Sequence, residues 1–66
     1  MCQSNAYLVD RGVEVLVLED VAWVEVGEDQ VTLRSLFGEP VAVCARIKEI
    51  DLIKNRIVLE RIEEVT

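Results

Sequence analysis

Histidine is absent from this 66-residue chain, and lysine, arginine and aromatic residues are scarce. The lack of histidine removes the commonest metal ligand and the usual acid–base group at neutral pH. Seven lysine and arginine residues against thirteen acidic residues give a net charge of −6, which disfavours nucleic-acid and anionic-membrane partners. The aromatic residues are only Tyr7, Trp23 and Phe37, too few for a surface on which bases stack.

Long apolar runs and catalytic motifs are also missing. No apolar stretch approaches the roughly 18 residues that a transmembrane helix needs. Residues 1–5 carry no basic side chain and have no apolar run behind them, so they do not resemble a signal peptide. We therefore expect a cytoplasmic protein without membrane contact, in which both cysteines are reduced. Because a Ser-His-Asp set and a glycine-rich phosphate loop are absent, the sequence predicts no enzyme.

Apolar residues, by contrast, are abundant. They make up 52% of the chain, a high share for so small a protein. A domain of this size buries only about 60% of the surface that its unfolded chain exposes. We therefore expect residues 1–66 to form one small domain that covers part of its apolar surface with a second copy, as a homodimer.

Short β-branched segments separated by turn residues predict an all-β fold. Residues 30–36 alternate between polar and apolar side chains, as expected of a half-buried strand. A strongly bent barrel of five or six strands would bury one face of the sheet and remove exposed edges. One amphipathic helix over residues 41–65 is the alternative, which the valine and isoleucine content disfavours. Strands are predicted at residues 6–9, 13–18, 21–26, 30–36, 41–50 and 56–62, with turns or interruptions at 10–12, 19–20, 27–29, 37–40 and 51–55.

Several side chains carry specific structural predictions. Pro40 cannot donate a backbone hydrogen bond, so it should open the strand over residues 41–50. In the middle of that strand Cys44 is expected as a small buried hydrophobe. Trp23 interrupts a β-branched run and is expected in the core or at the dimer interface. The expected inward-facing set of the long strand is Val41, Val43, Ala45 and Ile47.

Cys2 is the most unusual candidate for a functional residue. Its thiolate lies next to the N-terminal amine, and together they offer nitrogen and sulfur ligands. Such a set suits nickel(II) or copper(II) in planar geometry, and its soft sulfur also suits zinc or copper(I). The alternative is an ordinary thiol in a frayed terminus, and the residues alone leave both readings open.

Charged residues divide along the chain. The acids of the first two-thirds could bind a hard cation or do acid–base chemistry, but a solvated acidic surface is the preferred interpretation. The bases of the second half could form a strip for RNA, although edge charges that pair with neighbouring acids are preferred. The acids are Glu14, Glu19, Asp20, Glu25, Glu28, Asp29 and Glu39, and the bases are Arg34, Arg46, Lys48, Lys54, Arg56 and Arg61.

The chain resembles the CooT family in three features: the Met1-Cys2 start, the turn of residues 36–39, Leu-Phe-Gly-Glu, and the spacing of apolar and acidic residues from Ile47 to Glu60. The resemblance implies a compact barrel, related in shape to Sm-like or SH3-like domains, that forms a homodimer. It further implies a nickel-binding accessory protein of carbon monoxide dehydrogenase maturation, with Cys2 in the metal site. The partners would then be carbon monoxide dehydrogenase or its nickel-insertion factors.

Two alternative functions remain at this point. Many CooT-like proteins carry the label of predicted RNA-binding protein, and a small Sm-like module could use basic side chains for that purpose. The other alternative is a dimerisation domain without a ligand. The residues that would carry RNA binding are Arg34, Arg46, Lys48 and Arg56.

Overall fold

Six strands and the turns between them make up the computed structural model, which describes residues 4–62. The all-β prediction is confirmed, and the helical alternative over residues 41–65 is wrong because three strands occupy that region. No helix long and apolar enough to cross a membrane occurs among the described residues. The strands are β1 (Ser4–Asp10), β2 (Val13–Val26), β3 (Val31–Ser35), β4 (Val41–Val43), β5 (Ala45–Asp51) and β6 (Arg56–Arg61).

The turn between β1 and β2 follows directly from its sequence. Arg11 and Gly12 connect Asp10 to Val13 and both have positive φ angles, 53° and 80°. Positive φ at both central residues is the geometry of a type I′ turn, whose twist matches that of the flanking strands. Glycine adopts this conformation without steric penalty, so Gly12 fixes the hairpin where the sequence predicted it.

β2 is one continuous strand, whereas the sequence predicted two strands interrupted at residues 19–20. Asp20 has a φ of 54°, and the pairing register shifts nearby on both sides of the strand. Such a bulge bends a strand without ending it. The first part of β2 therefore pairs with β1, and the part from Val21 onward pairs with β3.

The predicted long strand over residues 41–50 is divided by a bend at Cys44 into β4 and β5. Pro40 directly precedes β4, as predicted. The sheet order is β4-β3-β2-β1-β6-β5, so the two strands joined by Cys44 lie at opposite edges. Two peptide steps span only about 7 Å, so the edges must meet at this point. The sheet is therefore curled, and β5 contacts β3.

β6 returns to lie beside β1 as a parallel pair, which a simple meander would not contain. This pairing brings β6 between β1 and β5 and buries the centre of β6. The expected inward-facing set is confirmed, since Ala45 is buried, Val43 and Ile47 pack against the core, and Val41 is half-buried. The buried residues are Ala6, Val31, Leu33, Ala45, Ile57, Val58 and Leu59.

Candidate functional site

The start of β1 is held on both sides by neighbouring elements. The backbone amide of Asn5 donates to the carbonyl oxygen of Asn55 over 2.9 Å. The side-chain oxygen of Asn5 accepts a hydrogen bond from the backbone amide of Asp20 over 3.3 Å. Cys2, the predicted metal ligand, lies outside the described residues. The structure therefore shows where the chain enters the sheet, and the role of Cys2 as a metal ligand stays a prediction.

An exposed apolar cluster lies beside this entry point, on the turn between β5 and β6. Ile50, Leu52 and Ile53 are 50%, 79% and 92% exposed, and we refer to them as the 50–53 patch. The Asp51 carboxylate accepts hydrogen bonds from the backbone amides of Ile53 and Lys54, at 3.0 and 2.9 Å. These bonds satisfy the backbone of the turn locally. Leu52 and Ile53 thus remain in solvent within a single chain.

A second exposed cluster lies on the other side of the entry point and forms a shallow groove of about 430 Å³. Its lining includes Trp23, Arg34, Leu36 and Phe37, and we refer to it as the Trp23 groove. The Arg34 guanidinium carbon lies 4.9 Å from the centre of the Trp23 ring, within the range of a cation–π contact. Leu36 and Phe37 are 74% and 96% exposed.

The loop that carries Leu36 and Phe37 is tightly folded at Gly38. A β-carbon at Gly38 would lie 2.4 Å from the hydroxyl oxygen of Ser35, a contact that rotation of the Ser35 side chain relieves. The loop brings Gly38 back against Ser35 at the end of β3, and the two large apolar side chains between Ser35 and Gly38 are left in solvent.

Trp23 is not in the core of the chain, because it is 53% exposed. Successive side chains of a strand point to opposite faces, and the neighbouring Val24 packs against the core. Trp23 consequently occupies the outer face of the sheet. The core part of the expectation is wrong, and the dimer-interface part stays a prediction.

Cys44 is exposed, contrary to the expectation of a small buried side chain. It forms the bend where the chain passes from one sheet edge to the other, between the inward-facing Val43 and Ala45. Its carbonyl oxygen accepts a hydrogen bond from the backbone amide of Ile62 over 3.1 Å. Within residues 4–62, no group of three or more cysteine, aspartate or glutamate side chains is arranged to hold a metal ion.

The arginines of the predicted RNA strip are largely engaged within the chain. Arg46 binds Glu60 through an Nη2–Oε1 contact of 2.7 Å, and Arg56 forms an ion pair with Glu14. The Arg56 guanidinium carbon also lies 4.6 Å from the centre of the Tyr7 ring. These contacts match the preferred interpretation of edge charges paired with acids.

The hydrogen bond from Arg46 and its positive charge lower the pKa of the Glu60 carboxyl, with a smaller contribution from the charge of Lys48. Because the pKa of Glu60 is depressed in the folded state, its stabilising contribution is complete above the unfolded-state pKa. That contribution is lost as the pH falls through the folded-state pKa.

We expect Arg46→Gln to raise the pKa of Glu60 back towards the ordinary range of an exposed glutamate. Lys48→Gln should raise it by less, because Lys48 acts on Glu60 only through its charge. A nuclear magnetic resonance titration of the Glu60 carboxyl carbon measures both changes. An unchanged pKa in the Arg46→Gln protein would contradict the assigned cause.

A family model and a solved structure identify the same family for this chain. The model for the CO dehydrogenase accessory protein CooT matches residues 1–60. The crystal structure of a protein described as CooT from Carboxydothermus hydrogenoformans superposes with a TM-score of 0.82 and 34% identity, covering 94% of this chain and all of that one. The uncharacterised protein MJ1551 of Methanocaldococcus jannaschii is 40% identical over 60 residues, which cover 91% of this chain and 98% of the relative.

Proposed function

Because this chain belongs to the CooT family of CO dehydrogenase accessory proteins, we propose that it binds nickel(II) and holds or delivers the ion during maturation of that enzyme. The observation that carries the proposal is the family match over residues 1–60, a span that includes Cys2. The proposed role is that of a carrier, so it requires a ligand set and an interface and no catalytic step.

The proposed ligands are the Cys2 thiolates of two chains, completed by terminal or backbone nitrogens. A single thiolate without histidine is a poor ligand set for nickel(II), which favours planar nitrogen and sulfur coordination. The other thiol of the chain belongs to the opposite end of the sheet. Cys44 adjoins Ala45, which pairs with Arg61, whereas Asn5 pairs with Arg56 at the start of β6. The six residues of β6 separate these ends by roughly 16 Å.

The position of the chain entry supports a second copy as the source of the second thiolate. Cys2 precedes Ser4 by two residues, a span of at most about 7 Å. The 50–53 patch lies on the turn that holds Asn5, and its exposed apolar surface would be buried in an interface. A two-fold interface brings equivalent residues into symmetric relation, so a dimer formed around this patch would bring both chain starts together.

A nickel titration followed by native mass spectrometry tests the proposed site. We expect one nickel ion per two chains, with an absorption band from thiolate coordination that saturates at the same ratio. Binding should release protons, because thiol and nitrogen ligands must be deprotonated before they coordinate. One nickel ion per single chain would contradict the shared site.

We expect the double substitution Leu52→Glu and Ile53→Glu to give a monomer with weakened nickel binding. Both side chains are exposed in the single chain, so folding should survive, while four added charges would face one another across the proposed interface. The matched control is Val13→Glu with Val15→Glu. These residues are 60% and 55% exposed at the other end of the sheet.

Analytical ultracentrifugation with nickel titration distinguishes the two double variants. The control should remain dimeric and bind nickel normally. A dimer that persists in the Leu52→Glu, Ile53→Glu protein, with unchanged nickel affinity, would exclude the 50–53 patch as the interface.

A further inference from the structure

The negative charge of this protein is concentrated in one part of the chain. Residues 19–43 contain six acidic side chains and a single basic one, Arg34, which gives a charge of −5 out of the total of −6. The remaining residues are nearly balanced. In space these residues form the second part of β2, together with β3, β4 and their connections. The acids are Glu19, Asp20, Glu25, Glu28, Asp29 and Glu39.

The ion pairs of the described residues lie outside this region. They join Arg46 to Glu60, Arg56 to Glu14 and Arg61 to Asp10, all on β1, the first part of β2, β5 and β6. None of the six carboxylates of residues 19–43 takes part in an ion pair within residues 4–62. One half of the sheet thus carries the three ion pairs, and the other half presents six exposed carboxylates without an ion pair among the described residues.

The Trp23 groove lies within the half that carries the unpaired carboxylates. Glu25 follows Trp23 by two residues along β2 and therefore points to the same outer face of the sheet. Glu39 follows Gly38, which lines the groove. The groove itself is lined by a half-exposed indole, an almost fully exposed phenyl ring and Arg34, and the exposed carboxylates belong to the adjoining residues Glu25 and Glu39. Aromatic side chains are enriched in protein interfaces, and charge complementarity steers their partners.

We propose that the Trp23 groove is a docking site for a basic segment of another protein, in which an apolar side chain is flanked by lysine or arginine. The apolar side chain would pack between Trp23 and Phe37, and the flanking cations would face Glu25 and Glu39. Charge favours such a partner over a second copy, because a two-fold self-contact would place the −5 region against itself. The surface is independent of Cys2 and of nickel.

Trp23 is the single tryptophan of the chain, so its fluorescence reports directly on the groove. The probe is a seven-residue peptide that alternates lysine with leucine or phenylalanine. We expect a saturable blue shift of the emission that weakens as salt increases. A matched peptide with glutamate in place of lysine, and another with serine in place of the apolar residues, should each bind at least about fivefold more weakly.

Substitutions in the protein locate the binding surface. Glu25→Gln combined with Glu39→Gln, and separately Phe37→Ser, should each weaken binding of the lysine peptide by about fivefold or more. Glu49→Gln removes one exposed carboxylate on β5, outside the groove, and should change binding by less than about twofold. The Cys2→Ser protein should bind the peptide with unchanged affinity. The docking site can therefore be tested even if the nickel site proves wrong.

Three results would overturn the docking site. One is no emission shift at any peptide concentration up to the millimolar range. Another is equal binding of the lysine–serine peptide, which would show charge attraction without a groove. The third is a blue shift produced by raising the protein concentration alone, which would identify the groove as a contact between copies of this chain.

Discussion

Replacing Cys2 by serine should abolish nickel(II) binding and leave the proposed dimer intact. A serine hydroxyl stays protonated at neutral pH and is a hard ligand, so it cannot replace a thiolate in a nitrogen–sulfur site. We expect nickel affinity to fall by more than about 100-fold. Loss of a residue that only hydrogen-bonds to a metal ligand lowers metal affinity by up to about 100-fold, and loss of the ligand itself should cost more. The dimer should persist because the 50–53 patch remains unchanged.

The matched control is Cys44→Ser, which removes the other thiol of the chain. Cys44 is exposed at the end of the sheet opposite the chain entry, so its loss should leave nickel affinity unchanged. Isothermal titration calorimetry of both variants, with size-exclusion chromatography for the dimer, makes the comparison. Undiminished nickel binding by the Cys2→Ser protein would refute Cys2 as the ligand. Loss of nickel binding by the Cys44→Ser protein would instead indicate a site at the Cys44 bend.

Truncation of Leu59 to alanine should remove most of the stability of this domain. Leu59 is fully buried at the centre of β6, where it pairs with Leu8 on β1 and Ile47 on β5. A buried leucine-to-alanine change costs about 2–5 kcal/mol, through lost burial and the cavity that remains. A core of this size supplies only about 3–5 kcal/mol in total, so the variant should be largely unfolded at moderate temperature.

Leu36→Ala is the matched control for the core substitution, because Leu36 is 74% exposed outside the core and outside the 50–53 patch. Its effect should stay within about 0.5 kcal/mol. Urea unfolding at one fixed chain concentration compares both variants, since the stability of a dimer depends on concentration. A loss below about 1 kcal/mol for Leu59→Ala would contradict the central place of β6 in the core.

Local sequence features predicted most of the strands correctly. The alternation over residues 30–36 predicted β3, because a strand with one buried face must repeat every two residues. The turn at residues 10–12 was predicted from its Asp-Arg-Gly sequence, and the structure shows a hairpin there in which Gly12 has a positive φ. The proposed ligand was identified differently. Cys2 was favoured as a metal ligand because of the family resemblance, since the spacing of the other residues contains no metal-binding motif.

The wrong predictions concern segments whose local sequence is compatible with two different structures. Two consecutive acids at residues 19–20 are typical of a turn, yet they also fit a bulge when neighbouring strands take over the pairing. Cys44 between apolar neighbours looked like a buried strand residue. It is exposed because the chain passes from one sheet edge to the other at this residue. The strand order causes this exposure, and the residues next to Cys44 in the sequence do not indicate the strand order.

Alternation, turn residues and composition were sufficient for the all-β class, the hairpins and the acidic character of residues 19–43, because those properties depend on neighbouring residues. Only the folded sheet decided that β6 lies parallel to β1, that the edges meet at Cys44, and that Trp23 and Phe37 line one groove. Strand order and surface exposure depend on contacts between residues far apart in the chain, and period-two patterns are compatible with many such arrangements.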